Sequence, residues 1–147
     1  MSVERTIQER LIFFEGLRKE AEGIQERIEE IQTMKNELDR TIESLEFFDK
    51  VESVDALLNL GGGVFAYADV KENRKVLVDV GAGVIIEKEV KDAIETLKRK
   101  KEEMEKTEQK LRDLLNQIAS QMMKIQKELE ELTKKAKEQE QKQQKKE

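Results

Sequence analysis

Two long runs of this chain place apolar residues in steps of three and four, and that spacing constrains the fold more than any other feature. In the first run they are Phe14, Leu17, Ala21, Ile24, Ile28, Ile31, Leu38, Ile42 and Leu45, with Lys35 filling the one gap. This is a heptad seam, with Phe14, Ala21, Ile28, Lys35 and Ile42 at position a and Leu17, Ile24, Ile31, Leu38 and Leu45 at d. The second run repeats it through Ile94, Leu97, Met104, Leu111, Leu115, Ile118, Met122, Ile125, Leu129, Leu132 and Ala136, with Lys101 and Glu108 as polar interruptions at a. No proline breaks either run. A coiled coil buries only its seam, so it accommodates a composition of 41% charged and 4% aromatic residues that a compact globule of this size would not. Disorder would not keep such phase. The polar a residues either fix the register of the helix pair at some cost in stability or reach past the seam to water.

Between the runs the period changes from 3.5 to 2. The stretch LGGGVFAYADVKENRKVLVDVGAGVIIEK, from Leu60 to Lys88, holds five of the seven glycines. Val76, Val78 and Val80 alternate with Leu77 and Asp79, and Phe65 and Tyr67 with Val64, Ala66 and Ala68. Leu58-Asn59-Leu60 and Val84-Ile85-Ile86 complete four short strand candidates. Gly61-Gly62-Gly63 and Gly81-Ala82-Gly83 fall at the turns, where positive φ is needed, and VKENRK joins the second strand to the third. The expected fold is α+β: a long antiparallel two-helix coiled coil with two central β-hairpins. Four short strands leave open edges and too little core. Strands of other subunits should therefore pair with them and close a β-barrel body, with Val64, Phe65, Tyr67, Val76, Val78, Val80, Val84 and Ile86 as the oligomerisation residues. The expected boundaries are 1–50 for the first helix, 51–88 for the hairpins, 89–136 for the second helix and 137–147 for a frayed or disordered tail, all within one domain.

Several function classes are disfavoured. The chain has neither cysteine nor histidine, so it lacks disulfides, thiolate metal sites and the usual general base. No catalytic pair, metal cluster or cofactor site is visible. Gly61, Gly63 and Ala66 match the spacing of a dinucleotide-binding turn, but strand-like VFAYAD follows them where a helix would have to start. The net charge is −5 and no stretch concentrates basic residues with aromatics between them, which argues against nucleic acid. No apolar run reaches the roughly 20 residues of a membrane span, and the first residues carry no apolar signal core. A cytoplasmic setting is expected.

An antiparallel pair brings both chain ends together at the tip away from the hairpins. There LIFFEG places Leu11, Ile12 and Phe13 at e, f and g, beside Phe14 at a, and no rotation buries all four. Met123 falls at b on the opposite run. Exposed apolar clusters mark binding surfaces, and methionine adapts to varied partners. The candidate client-binding residues are Leu11, Ile12, Phe13, Phe14, Met122, Met123 and Ile125. Phe47 and Phe48 leave the seam in the same way but lie at the hairpin end, where they are expected to dock on the body. Gly16 and Gly23 sit on the outward face, either softening the distal helix or simply tolerated there.

LNLGGGVFAYADV and KVLVDVGAGVIIEKEVKDAIETL, set between two long helices, resemble the α-class subunit of archaeal prefoldin, most specifically in VLVDVGAGVIIEK. The likeness covers nearly the whole chain, since α-class subunits carry two hairpins and β-class subunits one. It implies a hexamer of two α with four β subunits, a double β-barrel body and six coiled-coil tentacles. It implies capture of unfolded proteins without ATP and their delivery to a group II chaperonin, with no catalytic residues. The rival expectation is a structural coiled-coil scaffold or filament-forming relative without client transfer; the outward apolar cluster at the tip is what a scaffold would not need.

Overall fold

The computed structural model describes residues 2–71 and 74–146. The element order is α1 (Val3–Lys50), β1 (Val54–Gly61), β2 (Val64–Val70), β3 (Lys75–Asp79), β4 (Ile85–Glu89) and α2 (Val90–Lys146). The middle of the VKENRK connection, Glu72 and Asn73, lies outside the described residues. Ser2 caps α1, its Oγ accepting from the Arg5 backbone N–H at 3.3 Å. α2 follows β4 without a loop. Its first free N–H, on Val90, donates to the Arg74 carbonyl at 2.8 Å and so ties the helix start to the base of the second hairpin. α2 stays helical through the stretch expected to fray, with Leu132 and Ala136 half-buried and everything from Lys137 to Lys146 exposed.

The chain divides into two compact units. One is formed by α1 up to Ile31 and α2 from Thr107. Its core is Leu17, Ile118 and Ile125, flanked by Phe14, Ala21, Ile24, Met122 and Leu129, which are the seam residues the heptads predict. Ile28 is almost fully buried. Arg10 crosses to Glu128 at 3.1 Å.

The other unit holds the remaining helical segments and both hairpins. Leu45, Val90 and Ala93 form its core, with Val76, Val78, Ile94 and Leu97 packed against them. Two of the polar a residues meet carboxylates of the facing helix: Lys101 Nζ lies 2.6 Å from Asp39 and Lys35 Nζ 3.7 Å from Glu105. The hydrogen bond to Asp39 raises the Lys101 pKa above its ordinary value. Glu108, the third, belongs to the first unit, where it accepts from Arg112 on its own helix at 3.3 Å.

β1 pairs antiparallel with β2, and β3 with β4, as two separate two-stranded sheets. β1 begins at Val54, earlier than its apolar stretch Leu58–Leu60 indicates, and β4 covers Ile85–Glu89. The two hairpins repeat one another at an offset of twenty residues: Asn59-Leu60-Gly61-Gly62-Gly63-Val64 recurs as Asp79-Val80-Gly81-Ala82-Gly83-Val84. The turns share their mechanics. Asn59 Oδ1 accepts from the Gly61 N–H and Asp79 Oδ1 from the Gly81 N–H, each at 2.9 Å. All three residues that follow have positive φ in both turns, Ala82 at +52° included. That is why glycine occupies five of the six positions.

Candidate functional site

Residues directly opposite in an antiparallel pair share a face, so the register sorts the hairpin side chains. In the first hairpin Leu57 faces Tyr67 and Asn59 faces Phe65. This face is open: Leu57 is 62% and Tyr67 95% exposed, and Phe65 is exposed too. The other face carries the half-buried Val54, Ala56, Ala66, Ala68 and Val70. In the second hairpin Leu77 lies opposite Glu87, and Asp79 opposite Ile85. Leu77 is 74% exposed and Ile85 also lies open.

Val76 and Val78 take the opposite face and pack on Leu45, Val90 and Ala93 of their own chain. The sequence expectation counted both valines among residues offered to other subunits; in the single chain they contact their own helices. The alternation was legible, but its direction was not, because Leu77 between them is equally apolar. Val64, Phe65, Tyr67, Val80, Val84 and Ile86, the other residues of that expectation, are exposed. Leu57, Leu58, Leu60, Leu77 and Ile85 are exposed as well, Leu58 on the Ala66 face of the first hairpin. Sequence reasoning left them out, although strict parity from one inward valine would have found Leu77.

At the chain-end unit the residues divide in two. Ile12 is 73% and Met123 62% exposed, with Leu11 and Phe13 about half exposed. Phe14 and Met122 are half-buried against the seam core, and Ile125 is 4% exposed inside it. Position a or d takes these three toward the seam, whereas the sequence expectation set them among the client-facing side chains. Charged groups surround the apolar cluster. Arg18 bridges Glu15 and Glu22, and its hydrogen bond holds the Glu15 carboxyl below the ordinary carboxylate range. Phe47 is exposed and Phe48 half-buried. Phe48 lines an open cleft of about 730 Å³ together with Lys50, Val51, Arg74 and Val90. Among the described residues no group of three or more acidic side chains is arranged to hold a metal ion. No helix among them is long and apolar enough to cross a membrane.

Two helices bridged by a pair of hairpins with open apolar faces form a pattern with known counterparts. The family model for the prefoldin subunit matches residues 17–145. The chain belongs to the prefoldin family. It is 46% identical over 129 residues to the prefoldin subunit alpha of Archaeoglobus fulgidus, covering 87% of this chain and 94% of that one. The subunit alpha of Methanocorpusculum labreanum is 31% identical over 126 residues, covering 85% and 86%. Among solved structures, filamentous PFD from Methanocaldococcus jannaschii superimposes with a TM-score of 0.68 over 76% of this chain and 93% of that chain. At 16% identity that likeness shows the fold alone. Prefoldins are chaperone subunits rather than a family of enzymes, and each subunit is one chain of an oligomer.

Proposed function

We propose that this chain is the α-class subunit of an ATP-independent holdase. Its hairpins join those of β-class subunits, two α with four β, in a β-barrel body. The complex works in the cytoplasm, performs no catalysis, captures unfolded proteins at its coiled-coil tips and passes them to a group II chaperonin. The observation that carries the client-binding part is the off-seam cluster at the chain-end unit: Leu11, Ile12, Phe13 and Met123 stay exposed although the seam beside them is filled. Leaving four large apolar side chains in water has no packing rationale, whereas an unfolded segment would cover them. Each tip binds weakly, and a client touching several tips gains through effective concentration.

The test is the double change Ile12→Ser and Phe13→Ser in the assembled complex. Full burial of one such side chain is worth about 1.5–3 kcal/mol, so suppression of client aggregation should fall clearly while the mass of the complex stays the same. Unaltered suppression would favour the scaffold reading. Loss of mass as well would contradict the assignment of assembly to the hairpins.

A further inference from the structure

Lys35 and Lys101 hold seam positions of α1 and α2, and neither side chain escapes to water. They are 20% and 31% exposed, against 58% for Lys98 in its bridge to Glu46. Each crosses to a carboxylate of the facing helix, Lys101 to Asp39 at 2.6 Å and Lys35 to Glu105 at 3.7 Å. The two pairs are reciprocal. Each lysine is followed, four residues later on its own helix, by the carboxylate that holds the other lysine: Lys35 by Asp39 and Lys101 by Glu105. Side chains four apart on a helix are neighbours and can form an ion pair. Each cation of the quartet thus has two acceptors in reach, one across the seam and one on its own helix. Stability alone does not call for such an arrangement. Replacing a seam ion pair by apolar residues is often neutral or stabilising, and the half-buried Leu38 and Met104 in the same turns show that apolar side chains fit here.

We propose that the quartet is a two-state clasp: the cross-helix pairs close it, and on opening each lysine turns back to the carboxylate of its own helix. Where the seam is wholly apolar, parting the helices bares hydrocarbon to water with nothing gained in return. At the clasp, parting them bares less hydrocarbon. It also leaves no charge without a partner, so the penalty for an unpaired buried charge is avoided in both states. The helix pair of this unit therefore opens first at the quartet, while the seat formed by Leu45, Val90 and Ala93 stays packed. The clasp is a property of the helix pair itself and does not depend on what the hairpins or the chain-end cluster bind.

The test is residue-resolved hydrogen exchange on the full chain. In the wild type, amides of residues 35–39 and 101–105 should exchange about tenfold faster than those of 42–45 and 93–97 in the same unit, and than those of 24–28 in the chain-end unit. Lys35→Leu with Lys101→Leu should abolish that difference. Asp39→Asn with Glu105→Gln removes the closing pairs and should quicken exchange at the quartet several-fold more, with helicity retained. Lys98→Gln, which takes away an exposed bridge only, should change nothing. Carbon relaxation dispersion at the Asp39 and Glu105 carboxylates reads the exchange of partners directly, and Glu46 should show none. Equal wild-type exchange in all these stretches, a leucine variant that opens as readily as the wild type, or an Asn–Gln variant with unchanged rates would overturn the proposal. So would a Lys98→Gln variant as fast as the Asn–Gln pair, because any exposed bridge would then serve. Flat dispersion at both carboxylates would refute the handover of the lysines.

Discussion

Placing a carboxylate at Val78 and, in a separate chain, at the adjacent Leu77 gives opposite results if the register is right. Val78 is half-buried against Leu45, Val90 and Ala93. Val78→Asp forfeits about 1 kcal/mol of valine burial and leaves a partly buried carboxylate short of partners, a further penalty of about 1–3 kcal/mol. Together that is about 2–4 kcal/mol set against the seat of the second hairpin on its helices. Leu77 is 74% exposed, so Leu77→Asp should leave the single chain within about 0.5 kcal/mol of wild type. Its cost falls on assembly. The leucine surface left uncovered by the chain is worth about 1–2 kcal/mol per copy when a partner buries it, roughly 5–30-fold in affinity. Amide hydrogen exchange across Lys75–Val90 reads the first effect, and native mass spectrometry with a β-class subunit reads the second. Val78→Asp should lose protection in β3 and β4, whereas Leu77→Asp should keep it and dissociate. Loss of protection in Leu77→Asp with none in Val78→Asp would show that the faces have been assigned backwards.

Four further outcomes concern two charged groups and two glycines. Lys101 has a raised pKa, so its bond to Asp39 stabilises fully below the unfolded value near about 10.5 and is lost as pH rises through the folded one. Glu15 is lowered, so its bond to Arg18 is present above about 4.5 and is lost as pH falls through its folded value. Thermal melts should therefore lose the Lys101 contribution only at alkaline pH and the Glu15 contribution only in acid, with Asp39→Asn flattening the first and Arg18→Gln the second. Gly81 has φ +117°, so Gly81→Ala should cost about 1–3 kcal/mol of hairpin stability by hydrogen exchange. Gly16 sits in open helix surface, and there Gly16→Ala should stabilise the chain by up to about 1 kcal/mol, read as a higher melting temperature.

The helices were legible because their signal is redundant. Every predicted seam residue from Phe14 to Leu45 is buried or half-buried, Lys35 included, since losing one apolar position does not shift a phase set by nine others. Val90 and Ala93 were not legible. Both are almost completely buried, but they lie where period 2 gives way to period 3.5, and a small alanine on a helix surface carries no periodic signal of its own. The hairpins were legible from their glycines. The inward direction of Val76 and Val78 was not, because it depends on which face meets Leu45, far away in sequence. Val54-Asp55-Ala56 lacked the apolar density of a strand and joins β1 only through its register with Ala68, Asp69 and Val70. At the tip, heptad position distinguished Ile12, Phe13 and Met123 from the seam. Applied to Ile125, the same rule would have kept it inside.

The twenty-residue offset between the hairpins is an even number, and parity is what a strand remembers. Leu57 and Leu77 occupy equivalent outward places, and Ala56 and Val76 equivalent inward ones, because an even shift preserves the face on which each side chain stands. Excising twenty residues from Leu60 to Asp79 would join Asn59 to Val80 and bring β1 opposite β4. Every inward residue would stay inward, and an Asx–Gly turn would remain at the tip. An excision of nineteen or twenty-one would turn the inner face of the hairpin out to water. A change of length within the strands keeps the faces only when it is even, and removal of one whole twenty-residue hairpin unit is a change that the pleat permits.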